Sequence, residues 1–312
     1  MTVSEAQHLQ PALAPRRVRA EVNGWVVLDK PVGMTSTHAV SRLKRMFNAK
    51  KAGHAGTLDP LASGLLPVAF GEATKTVPFV QDGAKSYRFR VRWGIKTDSD
   101  DTEGAVVATS DLRPAPPQIE ALLPSFEGTI QQRPPSYSAI KVDGERAYDR
   151  ARDGEVFELA SRPVTVHSLR LIESSRDEAV LEAHCGKGTY VRAIARDLGE
   201  ALGCFGHVNA LRRTRVGPFG EADAVPLPGE DDDPSRLLGS LLRVEAGLGE
   251  VAGLEIARQD AARLRRGQAL VLRGRDAPGQ GMAYATCGGV VVAFGPVEQG
   301  ALQPYRVFNL PF

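Results

Sequence analysis

The 312-residue sequence predicts an α/β chain followed by a small β-rich module. Three observations carry that expectation. Residues 86 to 93 alternate strictly, with Tyr87, Phe89, Val91 and Trp93 against Ser86, Arg88, Arg90 and Arg92, which is the period of a strand with one apolar face. Elsewhere short apolar runs interleave with segments of helical spacing. From about residue 247 the sequence turns Gly-rich and offers several short strand-like runs. The length exceeds the usual single-domain size, so two domains are expected.

Residues 1–22, rich in Ala, Pro and Arg, have the composition of a mobile extension. Trp25 to Leu28 is a short apolar strand, ended by Lys30-Pro31 and Gly33. Ser36 or Thr37 caps a helix carrying Val40, Leu43 and Phe47. Gly53, Gly56 and Pro60 break regular structure and place Asp59 in a loop. A buried strand over 65–70, a short helix over 73–80 and the strand over 86–93 follow. The acidic stretch from Thr97 to Gly104 reads as a solvated turn, because a calcium loop would need Gly where Glu103 stands. Residues 117–126 suggest a helix, Asp143-Gly144 a turn before another, and 163–172 and 179–185 two strands. Thr189 caps a helix with Tyr190, Ile194, Leu198 and Leu202 on one face. Glu230 to Pro234 is a charged break suited to a linker. Beyond it come a short amphipathic segment over 257–264 and strands near 269–272, 282–286, 290–294 and 305–308.

Net charge is only +2, but its distribution is uneven. No carboxylate occurs from Lys30 through Leu58, which holds Lys30, Arg42, Lys44, Arg45, Lys50 and Lys51. A second acid-free stretch, Ala201 to Gly220, holds Arg212, Arg213 and Arg215. Such patches suit a polyanion. Cys185, Cys204 and Cys287 are widely spaced, without zinc spacing and odd in number, so they read as reduced apolar residues. No apolar run reaches membrane-spanning length and the start lacks a signal-peptide core, so a cytoplasmic protein is expected. Phosphate-loop, zinc-helix, complete dinucleotide and nucleophile-elbow motifs are missing, which lowers the odds of the chemistries they serve.

The informative segment runs from Gly53 to Pro67, where Asp59 sits in a Gly- and Pro-punctuated loop directly after the basic stretch. Catalytic groups concentrate in loops of this kind, and a turn-capping Asp before Pro is the structural alternative. This segment resembles the catalytic motif of the TruB-type tRNA pseudouridine synthases. Leu28-Asp29-Lys30-Pro31-x-Gly33-Met34-Thr35-Ser36 resembles the family's first motif and Lys85-x-Tyr87 its second. Pro135-x-Tyr137-Ser138-Ala139-Ile140-Lys141, Gly188-Thr189-Tyr190-Val191-Arg192 and His207-Val208-x-x-Leu211-Arg212-Arg213 complete the set, in order along about residues 24–220. Gly186 departs from the Ser that often precedes Lys-Gly-Thr, and Thr37-His38 from a more usual polar and acidic pair.

The resemblance implies a pseudouridine-synthase fold with a largely antiparallel central sheet over 23–232 and a PUA-like RNA-binding module over 247–312. It implies isomerisation of uridine 55 in the tRNA T loop, with no cofactor and no metal; a monomer without an obligatory protein partner or membrane is expected. Asp59 would be the essential carboxylate, acting by direct attack or through a glycal, with Arg192 as its ion-pair partner. Tyr87 would pack on the base and take part in proton transfer, Tyr190 and Leu211 would line the pocket, and His54 would contact the RNA. Lys30, Arg42, Arg45, Lys50, Lys51, Arg212 and Arg213 are the candidate phosphate contacts, and Arg263, Arg265, Arg266, Arg273 and Arg275 make the module basic. Rival readings are a guide-RNA-dependent synthase, an RNA-binding protein without catalysis, and a glycosidase, whose usual second carboxylate the loop around Asp59 lacks.

Overall fold

A computed structural model describes residues 18–229, 235–272 and 279–311, apart from Ala139, Asp143, Tyr148, Asp149, residues 151–154, Val156 and Glu158. Most of the N-terminal extension, Asp143 with part of the helix expected after it, the break at Glu230–Pro234, and Arg273 and Arg275 lie outside the described residues.

The strands run in chain order as β1 (Gly24–Lys30), β2 (Ala52–His54), β3 (Ala62–Phe70), β4 (Lys85–Trp93), β5 (Ile95–Thr97), β6 (Val106–Thr109) and β7 (Gly128–Gln132). A two-residue hairpin, β8 (Lys141–Val142) and β9 (Glu145–Arg146), precedes the long β10 (Arg162–Ser174) and β11 (Glu178–Cys185). β12 (Gly206–Val216), β13 (Phe219–Gly220) and β14 (Ala224–Pro226) complete the first part. Helices α1 (Ser36–Met46), α2 (Val77–Asp82), α3 (Pro116–Leu122) and α4 (Val191–Ala201) flank this sheet.

The main sheet has the order β14-β1-β3-β12-β4-β11-β10-β7. Only β1 with β14 and β3 with β12 pair in parallel, so the sheet is largely antiparallel, as expected. The kind of sequence pattern in each strand follows from what covers it. β1 and β3 read as continuous apolar runs because both their faces are buried. Val26, Leu28, Leu66 and Val68 point into one core, and Trp25, Val27, Leu65 and Ala69 into a second. β4 alternates because one face is open: Phe89, Val91 and Trp93 are buried, while Arg88, Arg90 and Arg92 face Glu182 and Glu178 across the ladder at 3.3–3.4 Å.

The second core belongs jointly to the first part and to the C-terminal module. That module is a six-stranded sheet, β15 (Ala252–Glu255), β17 (Gly281–Cys287), β18 (Val290–Glu298), β19 (Ala301–Leu302) and β16 (Leu270–Val271), with β20 (Arg306–Val307) on β18. A helix, Arg258–Arg265, packs Ala261 and Leu264 onto it. Along β18, Val292, Ala293 and Val297 face the module's own core while Val291 and Phe294 face the shared one. Phe294 meets Phe79 edge-on, with ring centroids 5.0 Å apart, and Trp25 meets Phe219 at 5.3 Å. Trp25 also exchanges backbone hydrogen bonds with Leu242 and donates its indole N–H towards Thr76 Oγ1 and the Val244 carbonyl. Gly247 is required there, since an added Cβ would stand 2.5 Å from the indole nitrogen. The chain is therefore packed against β1 by residue 242.

Three local expectations need correction. Thr35, not Ser36 or Thr37, caps α1, accepting from the His38 N–H at 3.1 Å. Tyr190, not Thr189, occupies the N-cap of α4 and supplies no side-chain cap. The acidic turn is not solvated: Asp100 and Asp101 are 6% and 2% exposed. β12, previously only a basic stretch, is a central strand between β3 and β4.

Candidate active site

The loop between β2 and β3 carries Asp59, and almost every peptide group in it is fixed from outside. Arg213 Nη2 and Nη1 donate to the carbonyls of Gly56 and Thr57, each at 3.1 Å, and its Nε donates to Leu65 at 2.8 Å. Ser36 both donates to the Leu58 carbonyl at 2.9 Å and accepts from its N–H at 2.8 Å. The Ala62 N–H donates to the Asp59 carbonyl, and the Gly33 N–H to that of Pro60. Gly64, at φ +100°, lets β12 come close enough for this: an added Cβ would meet Arg213 O at 2.2 Å. A catalytic group needs such a rigid mount, because small displacements are costly to a reaction.

A cavity of about 840 Å³ opens over the loop, with Asp59, Tyr87, Tyr190, Arg192, Leu211 and Arg213 in its wall. Each comes from a different place. Tyr87 is on the apolar face of β4, Arg192 on the first turn of α4, and Leu211 on β12. Tyr190 is held by the buried Gln132 amide, which accepts from its N–H at 2.8 Å and donates to its carbonyl at 3.2 Å. Arg162 lies over the Tyr190 ring at 5.4 Å and donates to Gly188 O, adding a half-buried cation at the cavity wall.

Arg192 Nε stands 3.1 Å from Asp59 Oδ2. That is an ion-pair distance, but Nε makes no aligned hydrogen bond. The guanidinium is instead locked by other partners: Nη1 donates to Ser99 O at 3.0 Å and Asp101 Oδ2 at 3.1 Å, and Nη2 to Tyr137 O at 2.8 Å. Arg192 thus offers Asp59 a fixed positive charge while leaving its carboxylate loosely tied and about one-third exposed. Asp101 is fully engaged, since its Oδ1 also accepts from Ser99 Oγ at 2.6 Å and the Glu103 N–H at 2.9 Å. One helical turn on, Arg196 pairs with Asp100 at 2.8 Å. The residue Asp101 was missed because an acidic turn usually faces water. The available signal was two arginines four apart on a helix whose neighbours Ile194 and Leu198 are apolar. Buried cations demand buried anions.

Burial pushes the Tyr87 phenol pKa up, while the Arg213 charge opposes that rise. Burial, then Arg213, lowers the pKa of His54. Partial burial, then Asp101 and Asp59, raises that of Glu103, which places this second carboxylate within the field of Asp59. His54 does not line the cavity; it is half-buried at the end of β2, with Nδ1 unpartnered.

Several candidate phosphate contacts are elsewhere than expected. Lys30 has no exposure, and its ammonium donates to Pro31 O and Met34 O at 2.7 Å and towards Pro60 O at 3.4 Å, so it braces the loop instead of reaching a phosphate. Burial lowers its pKa to about 8. Arg213 is 2% exposed. Arg212 is committed to Asp29 at 3.0 Å and Glu221 at 2.8 Å, Lys50 to Glu21 at 2.6 Å, and Arg42 to Pro228 O. Arg45 and Lys51 are exposed and form no ion pair among the described residues.

Comparison with known proteins identifies the fold and the family. The solved structure of a Cbf5–Nop10–Gar1 complex matches with a TM-score of 0.67 and 25% identity, covering 92% of this chain and 84% of that one. An H/ACA RNP bound to a substrate RNA containing 2′-deoxyuridine matches in fold, with a TM-score of 0.69, 22% identity, and coverage of 92% and 85%. Fold and site together define an enzyme of the pseudouridine synthase class, an isomerase. The model of the TruB family pseudouridylate synthase N-terminal domain matches residues 44–191, and that of the tRNA pseudouridylate synthase B C-terminal domain matches residues 192–228. A protein of Bradyrhizobium diazoefficiens described as tRNA pseudouridine synthase B is 60% identical over 95% of this chain and 88% of its own length. One of Rhodopseudomonas palustris with the same description is 59% identical over 95% and 83%. The chain belongs to the TruB family of pseudouridine synthases.

Proposed function

We propose that this chain converts uridine 55 in the T loop of tRNA to pseudouridine, with Asp59 as the reactive carboxylate. The supporting observation is the Asp59 carboxylate, rigidly mounted and loosely tied, in a cavity walled by Tyr87, Tyr190 and Leu211 and roomy enough to admit an extruded nucleotide. The relatives described as tRNA pseudouridine synthase B supply the substrate class. The target base leaves its stack to reach the cavity, at a cost of a few kcal/mol. Asp59 then acts at the sugar, by attack on C1′ or by assisting a glycal. The N1–C1′ bond breaks, the base turns, C5 bonds to C1′, and the C5 proton is lost as N1 gains one. Arg192 sets its positive charge beside the carboxylate, and Tyr87 packs on the base and handles the proton. The reaction consumes no redox equivalent, nucleotide or metal.

Binding to the tRNA backbone is supplied by the exposed Arg45 at the end of α1 and the exposed Lys51 just before β2, assisted by the exposed Arg263 and Arg266 of a PUA-like module over 247–312. The protein acts in the cytoplasm as a monomer without an obligatory protein partner; no helix among the described residues is long and apolar enough to cross a membrane. Incubation with an unmodified tRNA transcript, followed by mapping of pseudouridine, tests the assignment. Modification is expected at the T-loop uridine alone, and Asp59→Asn is expected to lower the rate by about 10⁴-fold or more. Product only on addition of a guide RNA or partner would transfer the chain to the guide-dependent kind. Arg45→Ala and Lys51→Ala should each weaken tRNA binding and reduce the salt slope by about one; unchanged slopes would remove both from the RNA interface.

A further inference from the structure

Arg213 is a buried cation that the proposed chemistry leaves without a role. It sits on β12 between β3 and β4, 2% exposed, with its guanidinium in the cavity wall below the base site. Its three nitrogens grip Gly56, Thr57 and Leu65, one carbonyl each. These carbonyls lie on both sides of Asp59, so one planar fork closes the two arms of the loop. Only Arg presents donors in such a rigid fan; Lys offers a single rotating point charge. The Arg213 charge also acts on the Tyr87 phenol, opposing the rise that burial causes. Arg213 is directly across the ladder from Tyr87, and Gly64 in the register of β3 is kept free of a side chain so that the Arg213 backbone can approach.

We propose that Arg213 is a positioning residue for the isomerisation, fixing Asp59 through its loop and setting its charge across the ladder from Tyr87, with no contact to RNA phosphate. It rests on the assignment of Asp59 as the reactive carboxylate. Two observations separate this role from generic stability. The guanidinium bonds the reactive loop at Gly56 and Thr57 and not merely a distant element. It also faces the cavity together with Asp59 and Tyr87.

The test compares Arg213→Gln, Arg213→Lys and Asp59→Asn with the wild type, using an unmodified tRNA transcript. Single-turnover rate at saturating enzyme, tRNA Kd against salt, and melting temperature are measured for each. Arg213→Gln is expected to lose about 100-fold in the single-turnover rate, the scale of a displacement near 1 Å at the reacting group. Its Kd and salt slope are expected to stay within about twofold of wild type, because no phosphate contact is lost. A second readout is the ionisation of the Tyr87 phenol, followed as the tyrosinate absorbance that disappears in Tyr87→Phe. The charged groups facing that phenol are Arg213 on β12, Asp59 on the loop and Cys185 on β11. Removing the Arg213 charge should move this ionisation to higher pH in Arg213→Gln and leave it nearly in place in Arg213→Lys. Arg213→Lys therefore separates fork from charge, and it carries the test should Arg213→Gln not fold: a folded Arg213→Lys with a wild-type rate would overturn the proposal. So would an Arg213→Gln protein with an intact rate, or one whose only defect is a raised Kd with a flatter salt slope. A fully active Asp59→Asn would instead overturn the assignment of Asp59, whatever the Arg213 variants do.

Discussion

Ser36 shows how a single hydroxyl can hold the Asp59 loop from a distance in sequence. It is 3% exposed and uses both its donor and its acceptor on the peptide of Leu58, next to Asp59. Ser36→Ala strands a buried N–H and a buried carbonyl, so a loss of about 1–3 kcal/mol is expected. Urea unfolding of the variant measures this, and an unchanged midpoint would show that the loop does not depend on Ser36. Lys30 makes a prediction with a sign in pH. Its folded pKa is near 8, below the usual 10.5, so between those values the unfolded chain binds more protons than the folded one. This group alone therefore makes stability rise with pH from about 8 to about 10.5. Lys30→Met should lack that component, and the difference between the two urea stabilities across this window reads it; parallel curves would remove the effect. The side chains Asp59, Tyr87, Arg192, Tyr190 and Leu211 were legible because each sits inside an ordered motif, and the structure brings all five to one cavity. Asp101, Gln132 and the true places of Lys30 and Arg213 were not legible, because charge on its own reads as surface and burial is decided by partners far away in sequence.

At the scale of elements, legibility tracked how many faces of a strand are covered. β4 announced itself because one face meets solvent and the sequence must alternate. β12 was hidden for the opposite reason. It is hydrogen-bonded on both edges, yet its sequence from His207 to Arg215 carries the buried Arg213 and the half-buried Arg212 where a central strand usually carries apolar residues. The basic content pointed to RNA, whereas Arg213 and Arg212 spend their charge on loop carbonyls and on Asp29 and Glu221. The parallel contact of β3 with β12 yields the firmest prediction at this scale. Gly64→Ala would place a methyl 2.2 Å from Arg213 O and would also strain a backbone at φ +100°. A cost of about 3 kcal/mol or more follows, together with loss of pseudouridine formation. A variant with wild-type stability and rate would mean that the strands part without consequence for the loop.

At the scale of the whole molecule, the C-terminal module completes a core of the catalytic part. Phe294 sits at the middle of a core that also holds Trp25, Leu65 and Ala55, the last of which immediately follows His54. Lys75 donates to Val307 O at 2.7 Å, and Glu72 accepts from the Asn309 N–H at 2.7 Å, adding polar ties beside that core. The two parts should melt together. Phe294→Ala is expected to cost about 3–5 kcal/mol and to lower a single calorimetric transition; two separable transitions in the wild type would contradict the shared core. Removal of residues 247–312 would likewise expose aromatic surface on the catalytic part, so lost activity in such a truncation would not by itself measure RNA contacts. The Trp25 indole and the Val244 carbonyl that it addresses are 219 residues apart in sequence. On the ribosome that tryptophan emerges early and meets Leu65, Thr76 and Val80 first, but its face is completed only when the far segment is made, an interval of roughly 10–40 s at ordinary elongation rates. For that interval the nascent chain carries a partly uncovered aromatic strand, and a chaperone that shields it has a binding site which the finished enzyme no longer displays.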